Sequence, residues 1–390
     1  MIKQDIPKIR FYSYQGSWTE NRIADIVKIS AGGDVDKVKL KESGKYPVIA
    51  NALTNKGIVG FYEDYKVKAP AVTVTGRGDV GYAVARHENF TPIVRLLTLQ
   101  SEKIDVDYLE NQINSMRILN ESTGVPQLTA PQLGNYKVYH PKIEEQSAIG
   151  TLFRTLDDLL SSYKDNLANY QSLKATMLSK MFPKAGQTVP EIRLNGFDGE
   201  WEVQSLKELA RFSKGNGYTK SDLVNSGNEI ILYGQLYTNY QTVISMVNTF
   251  VLETREKSVI SKGGEVVVPA SGESAEDISR ASVIEKSGVI IGGDLNIIYP
   301  DENKVDSIFL ALTISNGSQQ KELIKRAQGK SVVHLRNNDL EKVVLHYPSI
   351  EEQQAIGAYF SNLDNLFNFH QEKISQLETL KKKLLQDMFI

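Results

Sequence analysis

Residues 141–182 return 207 positions later as residues 348–389, and this repeat constrains the fold more than any other feature of the chain. The first copy begins P-K-I-E-E-Q-S-A-I-G-T-L-F-R-T-L-D-D-L and the second P-S-I-E-E-Q-Q-A-I-G-A-Y-F-S-N-L-D-N-L. Apolar residues recur at Ile149, Phe153, Leu156, Leu160, Tyr163, Leu167, Tyr170, Met177 and Met181 in the first copy. In the second they are Ile356, Phe360, Leu363, Phe367, Ile374, Leu377, Leu384 and Met388, with His370 inside the stripe. The alternating four-three spacing is that of a heptad seam. A lysine interrupts it at the same place in both copies, Lys174 and Lys381. Each copy predicts a helix of roughly 36 residues, about 54 Å at 1.5 Å per residue, far longer than the usual helix of a globular core. A single such stripe would face water, and the chain itself supplies a partner of equal length. The two helices are therefore expected to pack on each other and act as a spacer. Glu144, Glu145, Glu351 and Glu352 place negative charge where the helix dipole favours it. Ser349 and Glu352 read as a capping box, whereas Lys142 replaces the serine in the first copy and predicts a weaker start there.

A second repeat precedes each globular stretch. Pro7, Ile9, Arg10, Gly16, Trp18, Ser30 and Gly32 find identical partners 183 positions on, in Pro190, Ile192, Arg193, Gly199, Trp201, Ser213 and Gly215. Both tryptophans of the protein fall in this repeat, where each is expected to act as a large buried plug rather than a base-stacking surface. Beyond it the halves diverge in sequence but keep a strand pattern. In the first half, 46–50, 57–62, 71–75, 82–86 and 91–98 read as strands and 105–117 as helix; in the second, 229–233, 243–245, 265–269, 282–284, 288–291 and 296–299 read as strands. Residues 206–212, 307–312 and 319–325 read as helical. The expected fold class is mixed α/β: two pseudo-twofold-related α/β domains separated by two long antiparallel coiled-coil helices. The expected division is 1–142, 143–183, 184–349 and 350–390.

The loop Gly76-Arg77-Gly78-Asp79-Val80-Gly81 matches G-x-G-x-x-G, but an extended pattern follows it instead of the helix that a dinucleotide site needs. It reads as a glycine-rich hairpin that brings Arg77 close to a ligand, and its counterpart, Ala270-Ser271-Gly272, carries no arginine. Gly329-Lys330-Ser331 lacks the upstream glycine of a P-loop. The five histidines have no ligand spacing, and the acidic letters of 300–304 crowd into one polar turn. Neither a metal site nor a catalytic set emerges, so no enzyme is expected. The absence of cysteine and of a long apolar run predicts a cytoplasmic protein with no membrane contact. With 45 basic against 47 acidic residues, the chain has no cationic surplus. Any nucleic acid must therefore be met by charge gathered on one face, or with a partner's help.

The repeat I-E-E-Q-x-A-I-G-x-x-F-x-x-L-D-x-L, with the lead-in motif and two divergent blocks, resembles the specificity subunit of type I restriction-modification systems over the whole chain. Gly150 and Gly357 depart from the alanine expected of that family and should loosen the first helical turns slightly. The resemblance implies two target-recognition domains, each reading half of a split, asymmetric double-stranded DNA site, with the helices setting the gap. It also implies two methyltransferase subunits as partners, and restriction subunits in the full complex. S-adenosylmethionine, Mg and ATP would then sit on those partners and none on this chain. Half-sites on one face of B-DNA recur about every 34 to 36 Å, a span that helices of this length can bridge.

Base edges are read by Arg, Lys, Asn, Gln, Ser and Thr, while phosphate contacts position the protein. The candidates for DNA contact are Asn51, Asn55, Thr75, Arg77 and Arg86 in the first domain. In the second they are Asn216, Tyr218, Tyr233, Gln235, Tyr237, Ser271 and Lys330. The residues expected to pack helix on helix are Ile149, Phe153, Leu156, Leu160, Leu167, Ile356, Phe360, Leu363, Phe367 and Ile374. Two other readings remain at this point: a non-catalytic coiled-coil adaptor that binds protein partners, and a self-contained DNA enzyme, which the missing catalytic sets disfavour.

Overall fold

The computed structural model describes residues 6–116, 118, 126–329 and 332–390. It divides into two compact units, Met1–Asp165 with Gln371–Ile390, and Asn166–His370. Each unit thus contains one globular region and a part of each long helix.

In the first unit, the main sheet runs Lys28–Ala31, Leu97–Gln100, Ala71–Val74, Ala83–Arg86, all neighbours antiparallel. A smaller sheet places Tyr46–Ile49 between antiparallel Ile58–Tyr62 and parallel Thr91–Pro92. The second unit repeats this plan with Ala210–Lys214, Leu295–Pro300, Glu265–Pro269, Ser282–Ile284 and an added edge strand, Val243–Ile244. There, too, a second sheet sets a strand, Asn228–Ile231, parallel to a short one, Ile290–Ile291. The run E-V-V-V-P is buried along its whole length because it faces two cores: Val266 and Val268 pack with Phe309, and Val267 with Leu236 and Leu295. Its two-residue period sends alternate valines to opposite faces.

The long helices span Ile143–Lys180 and Ile350–Asp387, 38 residues each. Within the first unit, Asp157 pairs with Lys381 at 2.5 Å and Lys164 with Glu378 at 2.7 Å. Within the second, Lys174 pairs with Asp364, and the rings of Tyr170 and His370 lie 5.1 Å apart. Numbers rise on one helix as they fall on the other, so the segments run antiparallel in both units. The lysines that interrupt the apolar stripe are thus held by the aspartate of L-D-x-L.

Each helix start is locked to its own globule by the repeated motif. Glu145 accepts two hydrogen bonds from Arg10, both 2.7 Å, and Glu352 accepts two from Arg193, 2.7 and 2.6 Å. These glutamates are almost wholly buried and serve the lead-in arginines. The expected capping box survives only as a 3.4 Å bond from the Glu352 N–H to Ser349 Oγ. Gln146 Oε1 accepts from the N–H of Asp105, and Gln353 Oε1 from that of Asp306, both at 3.0 Å. Asp105 and Asp306 in turn cap the helices Val106–Ser115 and Ser307–Ile314. One turn further on, a Cβ on Gly150 would lie 2.6 Å from Asp105 Oδ1, and one on Gly357 would lie 3.3 Å from Asp306 Oδ1. Gly150 lets the capped helix approach closely, a packing role beyond the expected loosening of the turn, whereas the approach at Gly357 is less tight.

Trp18 and Trp201 are buried, edge-on to Tyr108 at 6.0 Å and to Phe309 at 5.7 Å. Of the stripe residues, Ile149 and Phe153 join the first globular core, together with Met388 and Phe389 just past the end of the other helix. Ile356, Phe360 and Leu363 join the second core with Met181 and Phe182. Leu156, Leu160 and Ile374 are buried, whereas Leu167 and Phe367 are half-buried.

Two expected elements differ. Residues 91–98 are not one strand but two, Thr91–Pro92 and Leu97–Gln100, parted by left-handed Val94 and Arg95. Residues 206–212 hold a helix only over Leu206–Leu209; Ala210–Lys214 turns into a strand because all five of its residues register with Leu295–Pro300. Sheet partnership there overrides a local helical preference.

Candidate nucleic-acid interface

Three loops of the first unit meet beyond strands Tyr46–Ile49 and Ala71–Val74 and before Leu97–Gln100. Asn51 ties them together: its amide donates to the Val94 carbonyl, and its Oδ1 accepts from the Gly76 N–H at 2.7 Å. A Cβ on Gly76 would lie 2.9 Å from the Arg95 carbonyl oxygen, so glycine is required where these backbones touch. Thr75 is buried; its hydroxyl donates to the Asp79 carbonyl and accepts from the Tyr82 N–H at 3.0 Å, which shapes the glycine-rich turn. That turn joins two antiparallel strands, as a hairpin should.

Arg86 is also buried. Its guanidinium donates to Thr73 Oγ1 at 2.9 Å and to the Lys56 carbonyl at 2.7 Å, and burial brings its pKa down to about 10. Asn51, Thr75 and Arg86 therefore hold the loops, while Asn55, Lys56, Arg77 and Arg95 are exposed on them. Asn55, Lys56, Val94 and Arg95 all adopt left-handed backbone, with φ of 49°, 49°, 50° and 61°. Strain of this kind gathers at functional sites.

The second unit builds the same corner with other side chains. Arg77 bridges to Gln127 as Ser271 pairs with His334. The Leu128 N–H donates to the Gly76 carbonyl at 2.9 Å, as the Leu335 N–H donates to that of Ala270 at 3.0 Å. Asp294, at φ 57°, stands where Arg95 stands, and its carbonyl accepts from the Ala270 N–H at 2.8 Å. Ser271 is buried. Gln235 is spent on the Leu232 N–H and on Thr249 Oγ1, at 2.8 and 2.7 Å. Tyr233 and Tyr237 lie half-buried with ring centroids 6.3 Å apart.

Tyr218 is buried at φ 58°, and its hydroxyl is bonded to the Glu253 carbonyl, Ser258 Oγ and the Arg255 N–H. The Arg255 guanidinium lies 4.2 Å from the Tyr218 ring centroid and pairs with Asp222 at 2.5 Å. Asn216 is exposed, and its amide donates to the Lys257 carbonyl at 2.8 Å. Lys330 lies outside the described residues.

The sequence does not single out Arg95, because 91–98 reads as an unbroken strand, and Asp294 falls in the turn between 288–291 and 296–299 with no feature that marks it. Pro92 was the available signal, since proline inside a run argues against a central strand. Among the described residues, no group of three or more His, Asp or Glu side chains is arranged to hold a metal, and no helix is long and apolar enough to cross a membrane.

Residues 15–169 and 198–379 match the family model described as the type I restriction modification DNA specificity domain. The type I restriction enzyme MjaVIII specificity subunit of Methanocaldococcus jannaschii is 22% identical over 399 aligned positions, covering 94% of this chain and 91% of that one. The crystal structure of a type I restriction-modification system S subunit from M. genitalium superposes with a TM-score of 0.69 at 15% identity, covering 99% of each chain.

Proposed function

The chain belongs to the type I restriction-modification DNA specificity family, and from that premise we propose that each unit reads one half of a split duplex site while the paired helices fix the gap. The observation that carries this reading is one framework holding unlike chemistry: Arg77 and Ser271 occupy the same register position in the two units. A reader of two identical half-sites would repeat its loops as faithfully as this chain repeats its helices.

In this reading, exposed Asn55 and Arg77 in the first unit contact bases or backbone, as do Asn216, Tyr233 and Tyr237 in the second. Asn51, Thr75, Arg86, Tyr218, Gln235 and Ser271 set the loops that carry them. Two methyltransferase subunits dock along the helices and bring S-adenosylmethionine. Restriction subunits bring the Mg and ATP chemistry, and this chain contributes recognition without catalysis. A formal charge of −2 suits a protein that shares phosphate contacts with its partners.

The test is to produce the chain with its methyltransferase subunits in a host free of methylation and to sequence the modified bases. A split motif with two unlike halves is expected. A continuous motif, or two identical half-sites, would overturn the reading, and an absence of modification would favour an adaptor.

A further inference from the structure

This inference rests on the reading just proposed and deepens it. Val94 and Arg95 both adopt left-handed backbone, with φ of 50° and 61°, which for a β-branched valine is a true outlier. Such a conformation persists only where its surroundings impose it. Here the Val94 N–H donates to the Gly33 carbonyl at 2.8 Å and the Arg95 N–H to that of Gly32 at 3.1 Å, while Asn51 holds the Val94 carbonyl. The Arg95 carbonyl is packed against Gly76, the residue before Arg77. Two exposed arginines therefore rise from neighbouring, rigidly fixed backbones, and among the described residues neither has an acidic partner. A bidentate bond to a base edge needs a guanidinium presented from a fixed backbone. The second unit keeps the frame and drops both cations, placing Ser271 and Asp294 at the equivalent positions.

We infer that Arg77 and Arg95 form a guanidinium pair that reads at least one guanine in the half-site of the first unit, through the O6 and N7 acceptors in the major groove. The second unit makes no such reading from its matching positions. Arginine to guanine O6 and N7 is the geometry in which a planar fork meets two acceptors on one edge.

The experiment measures binding of the complex with its methyltransferase subunits to duplexes carrying the methylated motif. Each guanine is replaced in turn by 7-deazaguanine, which keeps the base pair and removes the N7 acceptor. For the wild type, one replacement in one half should weaken binding by about tenfold or more. The double variant Arg77→Ala/Arg95→Gly should lose that sensitivity and leave the other half unaffected. Glycine is chosen at 95 because it takes φ 61° without strain. Arg77→Ala alone, at an unstrained position, should reduce the sensitivity and keeps the test open if the double variant does not fold.

The inference is wrong if the variants retain full sensitivity at every guanine, or if the wild type shows none. It is also wrong if the variants weaken binding equally on all duplexes with a shallower salt dependence, the mark of phosphate contact. In those cases a split motif would still leave the proposed function standing, whereas the absence of any split motif would remove both.

Discussion

Gly150 has neighbours that a glycine in a helix rarely has. A methyl group there would meet Asp105 Oδ1 at 2.6 Å and the Tyr108 nitrogen at 2.9 Å, and these two atoms are already joined by the 2.9 Å capping bond of the helix Val106–Ser115. Neither can retreat without breaking the cap. At Gly357 the nearest atoms lie at 3.3 Å, a distance a small adjustment can absorb. Alanine gains about 1 kcal/mol over glycine in a helix interior, and overpacking costs about 1–3 kcal/mol. Gly150→Ala should therefore lower the apparent melting temperature, while Gly357→Ala should leave it unchanged or raise it. Equal losses in thermal unfolding of the two variants would refute the close-approach account. The sequence showed both glycines as repeated letters. It could not show that one sits harder against its neighbour than the other, since that depends on how the helices begun by Asp105 and Asp306, which belong to the divergent blocks, are seated.

The helices were legible as elements because four-three periodicity over many turns admits little else. Less legible was the work of the polar positions. Lys381 read as a flaw in the stripe, yet it pairs with Asp157 and lies near Glu110, whose carboxyl is pushed up to about 7 by burial, by Asp157 and by Asp107, against the pull of Lys381. A carboxyl raised in the folded state contributes stability below its unfolded pKa of about 4.5, and that contribution is lost as pH rises through about 7. Lys381 offsets part of the loss. Lys381→Met should thus cost on the order of 1 kcal/mol at pH 5, where Glu110 is neutral and the partly exposed pair with Asp157 is the main term. The penalty should grow by pH 8, where two carboxylates are left facing each other. Unfolding curves at the two pH values measure it, and a penalty that shrinks towards pH 8 would contradict the assignment. Adding Glu110→Gln should remove most of the pH dependence.

At the scale of the whole molecule, the repeat announced that the chain is double, but not how its ends are used. Met388 and Phe389 complete the first core, and Met181 and Phe182 the second. The first globule is therefore finished by residues from the opposite end of the sequence, something no local pattern encodes, and the second by residues just ahead of its own lead-in. The contacts that tie each globule to its helix start all lie within one unit, among them Arg10 to Glu145 and Arg193 to Glu352. Length added at the division between units leaves these locks untouched. Four residues inserted between Asp165 and Asn166, with four more between His370 and Gln371, add about one turn, roughly 6 Å, to each helix. If the helices measure the gap, the methylated motif should keep both half-sites and lengthen its unread middle by at most about two base pairs, at 3.4 Å per pair. Insertion into one helix alone should instead abolish modification, because only one of two helices of equal length would then be extended. A motif with its original gap after the double insertion would mean that the partners, and not this chain, set the distance between half-sites.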